Sequence, residues 1–173
     1  MKAHLIALAT VACFACGKPA PQQNVAPPAP TVVAPAPTPS VVEAPKPPAV
    51  HVELQVASVG NEMRFDKVTL TVPTGAEVHL VFKNNSTMTT MQHNWALVRP
   101  GTEASVALHG LNMGERAGYV DVRDHDLMTF TPQAKAGEST EVTFTAPEAG
   151  KYPYICTFPG HYMMMKGTLT VTP

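Results

Sequence analysis

Tyr152-Pro153-Tyr154-Ile155-Cys156 leads into Thr157-Phe158-Pro159-Gly160-His161-Tyr162-Met163-Met164-Met165, and Lys166-Gly167-Thr168-Leu169-Thr170-Val171 leads out again. The two flanks alternate with a period of two. Tyr152, Tyr154 and Cys156 share one face, as do Leu169 and Val171, which is the pattern of half-buried strands. The residues between them have no such period and contain Pro159-Gly160, so they read as a loop joining the final two strands. That loop holds a thiol, an imidazole and a thioether close together, at Cys156, His161 and Met165.

The same period recurs upstream. Val52, Leu54 and Val56 alternate with polar residues, as do Val68, Leu70 and Val72, then Val78, Leu80 and Phe82, and later Val142 and Phe144. Turn residues separate these runs at Pro73-Thr74-Gly75, Asn84-Asn85-Ser86, Lys135-Ala136-Gly137 and Pro147-Glu148-Ala149-Gly150. Short strands, regular turns and no long helical pattern predict an all-β fold, a Greek-key antiparallel β-sandwich. Residues 100 to 134 break the rhythm. They predict one short helical flap from Thr102 to Met113, with Thr102 as N-cap and Val106, Leu108 and Leu111 as its buried positions. The folded domain is expected over residues 51–173, a length that buries roughly two thirds of its unfolded surface. It carries nine Lys plus Arg against twelve Asp plus Glu with no run of either sign, which offers nucleic acid no footprint.

The N-terminal third has a different composition. Lys2 followed by the apolar run Leu5 to Phe14 reads as an export signal over residues 1–16, too short for a permanent membrane span. Its end, Phe14-Ala15-Cys16-Gly17, resembles a bacterial lipobox, which makes Cys16 the expected site of lipid attachment, with Cys13 the weaker alternative. Residues 17–50, with eleven prolines between Lys18 and Val50, have no period that builds a core and read as a disordered tether biased to polyproline II. The expected location is therefore outside the cytoplasm, in a periplasm or at the cell surface, held to the membrane by lipid. Since Cys13 and Cys16 belong to the signal, only Cys156 remains in the domain. No intramolecular disulfide can form there, and a lone thiol in an oxidising compartment needs burial or a metal.

A fourth donor is available from Met91-Gln92-His93-Asn94-Trp95-Ala96-Leu97-Val98, where His93 precedes an apolar run that reads as another strand. Two imidazoles and a thiolate in a plane, with a long, weak axial thioether, form the donor set of a mononuclear type 1 copper centre. His93, Cys156, His161 and Met165 supply that set. A structural zinc site is disfavoured, because zinc takes four strong ligands and a thioether is a poor one.

Gln92-His93-Asn94-Trp95, Cys156-Thr157-Phe158-Pro159-Gly160-His161 and Met165-Lys166-Gly167-Thr168-Leu169 together resemble azurin and, more closely, auracyanin, over nearly all of residues 51–173. The resemblance implies a type 1 copper protein with His93, Cys156 and His161 as equatorial ligands and Met165 as axial ligand. It also implies a remote contact from the backbone carbonyl of Gln92, a position that is Gly in azurins. Asn94 would tie the two ligand segments together and donate to the Cys156 sulfur, and Phe158 would supply a second backbone N–H to it. Such donors tune the reduction potential. Met63, Met91, Met113, Phe158, Pro159 and Met163 would form an apolar patch around the edge of His161, serving as electron portal and docking surface. The azurin disulfide is missing here.

The function expected is one-electron transfer between two redox proteins, such as cytochromes or membrane complexes, with no small-molecule substrate. Copper oxidases and nitrite reductases need paired His-x-His ligands or a second domain, and a binuclear centre needs a second Cys where Gly160 stands. A copper-delivery lipoprotein is the alternative, but it calls for exposed, exchangeable ligands. Trp95 is expected in the core, and His79, His109 and His125 at the surface or in hydrogen bonds.

Overall fold

The computed structural model describes residues 50–173; the export signal, Cys16 and nearly all of the 17–50 tract lie outside the described residues. Eight strands form two sheets. They are β1 (His51–Ala57), β2 (Thr69–Pro73), β3 (Glu77–Lys83), β4 (Ala96–Val98), β5 (Leu127–Phe130), β6 (Ser139–Thr145), β7 (Gly150–Ile155) and β8 (Lys166–Thr172). One sheet has the order β1-β3-β6 and the other β2-β8-β7-β4-β5. The alternating rows close the space between them: Val78, Leu80 and Phe82 of β3, Leu70 and Val72 of β2, and Leu169 and Val171 of β8 are all buried.

Most neighbours are antiparallel, but β1 pairs with β3 and β2 with β8 in parallel. The cause is a sheet change. After Ala57 the chain crosses over and reverses before starting β2, and a tight turn at Pro73-Thr74-Gly75 then sends β3 back along the first sheet. Val68, expected on the buried face of β2, is 54% exposed. It precedes the strand, and only its carbonyl is engaged, by the Thr168 N–H at 2.9 Å.

The core between the sheets is aromatic. The Trp95 ring lies 5.8 Å from Phe144 and 5.5 Å from Tyr154, and Tyr154 lies 5.3 Å from Phe65. Trp95 is fully buried, as its sequence context suggests. Tyr154, two residues before Cys156, donates its hydroxyl to the Lys67 carbonyl at 2.6 Å and so fastens the crossing loop to β7. Its ring lies over its cross-strand partner Gly167, where an added Cβ would stand 2.2 Å from the ring.

The helical flap is α1 (Glu103–Met113), followed by a 3-10 turn at Glu115–Ala117. Thr102 occupies the N-cap, but its hydroxyl donates to the Arg99 carbonyl and makes no cap bond. The expected buried face is partly wrong: Val106 is buried, whereas Leu108 and Leu111 are 55% and 46% exposed. The helix rests instead on Val106, Ala107 and Gly110. A small-residue face lets it sit close, with Gly110 against the Tyr119 carbonyl, and the two leucines are turned outward. Val106 and Ala107 cover Ala96, Val98 and Ile155. That explains why Ala96-Leu97-Val98 is apolar without alternation. Leu97 faces the inter-sheet core, and its neighbours face the helix.

Candidate metal centre

The two ends of the ligand loop are held by strand geometry. Cys156 follows β7 directly and Met165 precedes β8, and the Cys156 N–H donates to the Met165 carbonyl at 3.0 Å. Inside the loop, His161 N–H donates to the Phe158 carbonyl at 3.0 Å, and Met165 N–H donates to the His161 carbonyl at 2.8 Å. Two consecutive turns therefore fix the backbone on both sides of His161.

His93 comes from the segment before β4. Its N–H and carbonyl pair with Ala134 at 3.2 and 2.7 Å. Asn84, read from sequence as a turn residue, braces this pair from behind. Its Nδ2 donates to the carbonyls of Met91 and Ala134, both at 2.9 Å, while its Oδ1 accepts from Ser86 N–H and the Ser58 hydroxyl. Gln92, half-buried, lies in this anchored segment between Met91 and His93. The signal for Asn84 was present in the sequence, because it continues the inward row Val78, Leu80, Phe82 by one more step of two. Thr131, whose hydroxyl accepts the Trp95 N–H at 3.1 Å, had no comparable signal.

These supports bring three donors together. His93 Nδ1, Cys156 Sγ and His161 Nδ1 form a triangle with sides of 3.2 Å between the nitrogens and 3.8 and 3.7 Å from the sulfur to His93 and His161. A metal at the centre of a trigonal plane, with nitrogen at about 2.0 Å and sulfur at about 2.3 Å, sets such edges at about 3.5 and 3.7 Å. The donors therefore fit one small transition-metal ion. His93, Cys156 and His161 are the one such cluster among the described residues. Met165, fully buried, stands at the end of the same loop.

Around the sulfur, the backbone N–H groups of Asn94 and Phe158 both donate to Cys156. The Asn94 side chain links the ligand segments: its Oδ1 accepts the Thr157 N–H at 2.8 Å and its Nδ2 donates to the Thr157 hydroxyl at 3.0 Å. The Phe158 ring lies 4.7 Å from the His161 ring. Alongside runs a groove of about 250 Å³ lined by Leu108, Leu111, Phe158, Pro159 and Tyr162. Among the residues expected in an apolar patch, Met163 is exposed and Met63 packs, half-buried, against the main core. Met91 is half-buried. Met113 is partly exposed, at the end of α1, with its sulfur 3.7 Å from the Arg123 guanidinium. Of the other histidines, His79 is held between Glu53 at 2.7 Å and Glu141 at 3.3 Å, and His109 bonds Asp124 at 2.8 Å.

Burial sets the protonation of the metal-free site. Removal from water pushes the Cys156 thiol up to about 12, against the opposing pull of its two N–H donors. Removal from water, followed by the neighbouring His161, lowers His93 to about 4, and His161 is lowered by burial as well. Metal-free, the triangle is one thiol and two neutral imidazoles, so binding a divalent ion displaces the thiol proton. A histidine depressed in the folded state binds fewer protons there than when unfolded, so its contribution to stability is complete above pH 6.5 and is lost as pH falls through about 4. For His93 that loss is about 3 kcal/mol. The depressed carboxyls of Asp121 and Asp124 act only below their ordinary value of 3.8. His79, raised by Glu53, acts in the opposite sense above 6.5. Urea unfolding of the metal-free protein should therefore show a falling midpoint between pH 6.5 and 4. A flat midpoint across that window would contradict the buried neutral imidazoles.

The chain matches the family model of copper binding proteins, plastocyanin/azurin family, over residues 50–172. It is 46% identical over 122 residues to auracyanin-A of Chloroflexus aurantiacus, covering 69% of this chain and 74% of that protein. Against auracyanin-B of the same organism the identity is 40% over 129 residues, covering 73% of this chain and 54% of that longer protein. The solved structure of auracyanin A, described as a blue copper protein from a green thermophilic photosynthetic bacterium, superposes with a TM-score of 0.67 at 45% identity, covering 70% of this chain and 99% of that one. With the buried His93, Cys156 and His161 triangle at its centre, the chain belongs to the plastocyanin/azurin family of copper-binding proteins.

Proposed function

We propose that this protein is a type 1 copper electron carrier, in which His93, Cys156 and His161 would hold the ion, with the Met165 thioether as a weaker fourth donor and the Gln92 carbonyl as a remote contact. The observation that carries the reading is the buried triangle of two imidazole nitrogens and one sulfur with edges of 3.2 to 3.8 Å. A bound copper ion supplies a one-electron couple between Cu(II) and Cu(I). The protein's part is to keep the donors still. Cys156 and Met165 are joined through their own backbones, His161 is fixed by turns on both sides, and His93 is braced by Ala134 and Asn84. None of these supports depends on the charge of the ion, so little rearrangement accompanies a change of oxidation state.

Only His161 among the three donors reaches the surface, at 6% exposure against none for His93 and Cys156. Its edge, with Phe158, Pro159, Met163, Met63, Met91 and Met113, is the proposed docking face for redox proteins that give and take the electron. Methionine and aromatic side chains suit weak, adaptable contacts of that kind. No substrate is transformed. The carrier is placed outside the cytoplasm and tethered by lipid on Cys16 through the 17–50 tract. No described helix is long and apolar enough to cross a membrane.

Copper delivery is the second reading, favoured by the exposed thioethers of Met163 and Met164 but disfavoured by a thiol with no exposure at all. Visible absorption and electron paramagnetic resonance after adding Cu(II) separate the two. An intense thiolate-to-copper band with small copper hyperfine splitting, bleached reversibly by mild reductant, is expected. A weak, tetragonal Cu(II) spectrum would overturn the carrier reading in favour of copper handling.

A further inference from the structure

Tyr119 is the one non-glycine among the described residues with positive φ, at 55°. A bulky side chain adopts that conformation only where its surroundings over-determine it, and such strain gathers at functional sites. Three contacts hold it. Its N–H donates to the Gly114 carbonyl at 3.1 Å, its own carbonyl is pressed against Gly110, where even a Cβ would come within 2.1 Å, and its ring stands edge-on to Phe158 at 5.3 Å. The preceding residue is tied to the same loop. Gln133 Nε2 donates to the Gly118 carbonyl at 3.1 Å and lies 3.4 Å from the Thr157 hydroxyl. Gly118 and Tyr119 thus grip Thr157 and Phe158, the two residues that follow Cys156.

We propose that Tyr119 is a positioning residue for the copper site, holding Phe158 so that its N–H stays on the Cys156 sulfur and its ring stays against His161, and thereby setting the reduction potential. The inference rests on the electron-carrier reading of the site. Hydrogen bonds to a ligand sulfur draw electron density from it and favour the reduced metal. Loosening Phe158 therefore lowers the potential.

The test compares Tyr119→Asn, which tolerates the left-handed conformation and removes the ring, with Tyr119→Phe, which keeps it, in the full chain. In the metal-free protein, Tyr119→Asn should speed hydrogen exchange at the Phe158 amide about tenfold while the urea midpoint holds. In the copper-loaded protein it should lower the midpoint potential and move the charge-transfer band. Tyr119→Phe should match the wild type in every readout. Should Tyr119→Asn fail to fold, Gln133→Met cuts the neighbouring link and should shift the potential in the same direction. Unchanged Phe158 exchange, or an unchanged potential in both the Asn and the Met variants, overturns the inference. If the wild type itself shows no thiolate-to-copper band, the carrier reading fails instead, and Phe158 exchange in the metal-free protein still decides whether Tyr119 holds the loop.

Discussion

Cys156→Ala should abolish the intense visible absorption of the copper-loaded protein and convert its paramagnetic resonance to that of ordinary tetragonal Cu(II). The reason lies in what is left behind. Removing the sulfur leaves two imidazole nitrogens 3.2 Å apart and a small cavity where the side chain stood. Water can complete an ordinary nitrogen and oxygen coordination there, but no thiolate charge transfer survives. Folding should persist, because the change deletes one buried sulfur without exposing a charge, and the loop stays closed through the Cys156 N–H, which alanine retains. Met165→Leu makes the informative contrast. It conserves volume at a fully buried site and should cost less than about 1.5 kcal/mol of stability. On the proposed reading the Met165 thioether would be a weak ligand, so the blue band should remain while the potential rises. A retained band in Cys156→Ala, or loss of copper from Met165→Leu, would contradict the proposed division of roles.

The second large effect is on stability and is expected in the strand pair just beyond the ligand loop. Gly167→Ala puts a Cβ 2.2 Å from Cζ and 2.3 Å from the hydroxyl oxygen of Tyr154. A flexible surface ring would swing aside, but this one cannot. It is fully buried, packed against Phe65 and Trp95, and bonded through its hydroxyl to the Lys67 carbonyl. The overlap must move either the ring or β8, and both routes disturb the strand pair that carries Cys156 and Met165. We expect a loss of about 3 kcal/mol in urea unfolding, at the upper end for overpacked cores. Tyr154→Phe, which deletes only the hydroxyl bond, should cost about 1 to 2 kcal/mol. Tyr154→Leu should absorb much of the Gly167→Ala penalty, so that the double variant is more stable than the sum of the singles requires. Additive costs, or a Gly167→Ala loss below about 1 kcal/mol, would show that the ring is not locked.

The donor set was legible in the sequence because type 1 copper chemistry concentrates its ligands. Three of the four donors lie in one loop whose ends are fixed by neighbouring strands, so their spacing alone brought them together. The fourth, His93, was legible from its flanking apolar run. Strand faces were equally clear where one side meets the core, as in Val78, Leu80 and Phe82. Several misses come from contacts that local periodicity does not register, while Val68 is exposed simply because it precedes β2. Hydrophobicity alone points to Leu108 and Leu111 as the buried face of α1, but a helix lying close on a sheet needs small residues below it, and Ala107 meets that need over Ala96 and Ile155 while Gly110 admits the Tyr119 carbonyl. Asn84 looked like a turn residue because its polar side chain masked its place in the inward row. Tyr119 gave no signal at all, since its conformation follows from Gly110, Gly114 and Phe158 acting together.

The parallel pairing of β2 with β8 also dictates an order of assembly. Thr69 faces Thr168 and Val72 faces Val171, so β2 remains an open edge until a strand from the far end of the domain arrives beside it. Contacts so distant along the chain carry a large loop-closure cost and form slowly. β8 is also the strand that Met165 leads into, and its arrival beside β7 brings the Met165 carbonyl to the Cys156 N–H. That hairpin is local and gathers Cys156, His161 and Met165 early, whereas closure of the sheet at β2 and the arrival of His93 wait on contacts distant along the chain, so an ion offered earlier in folding meets the loop donors before His93 completes the site.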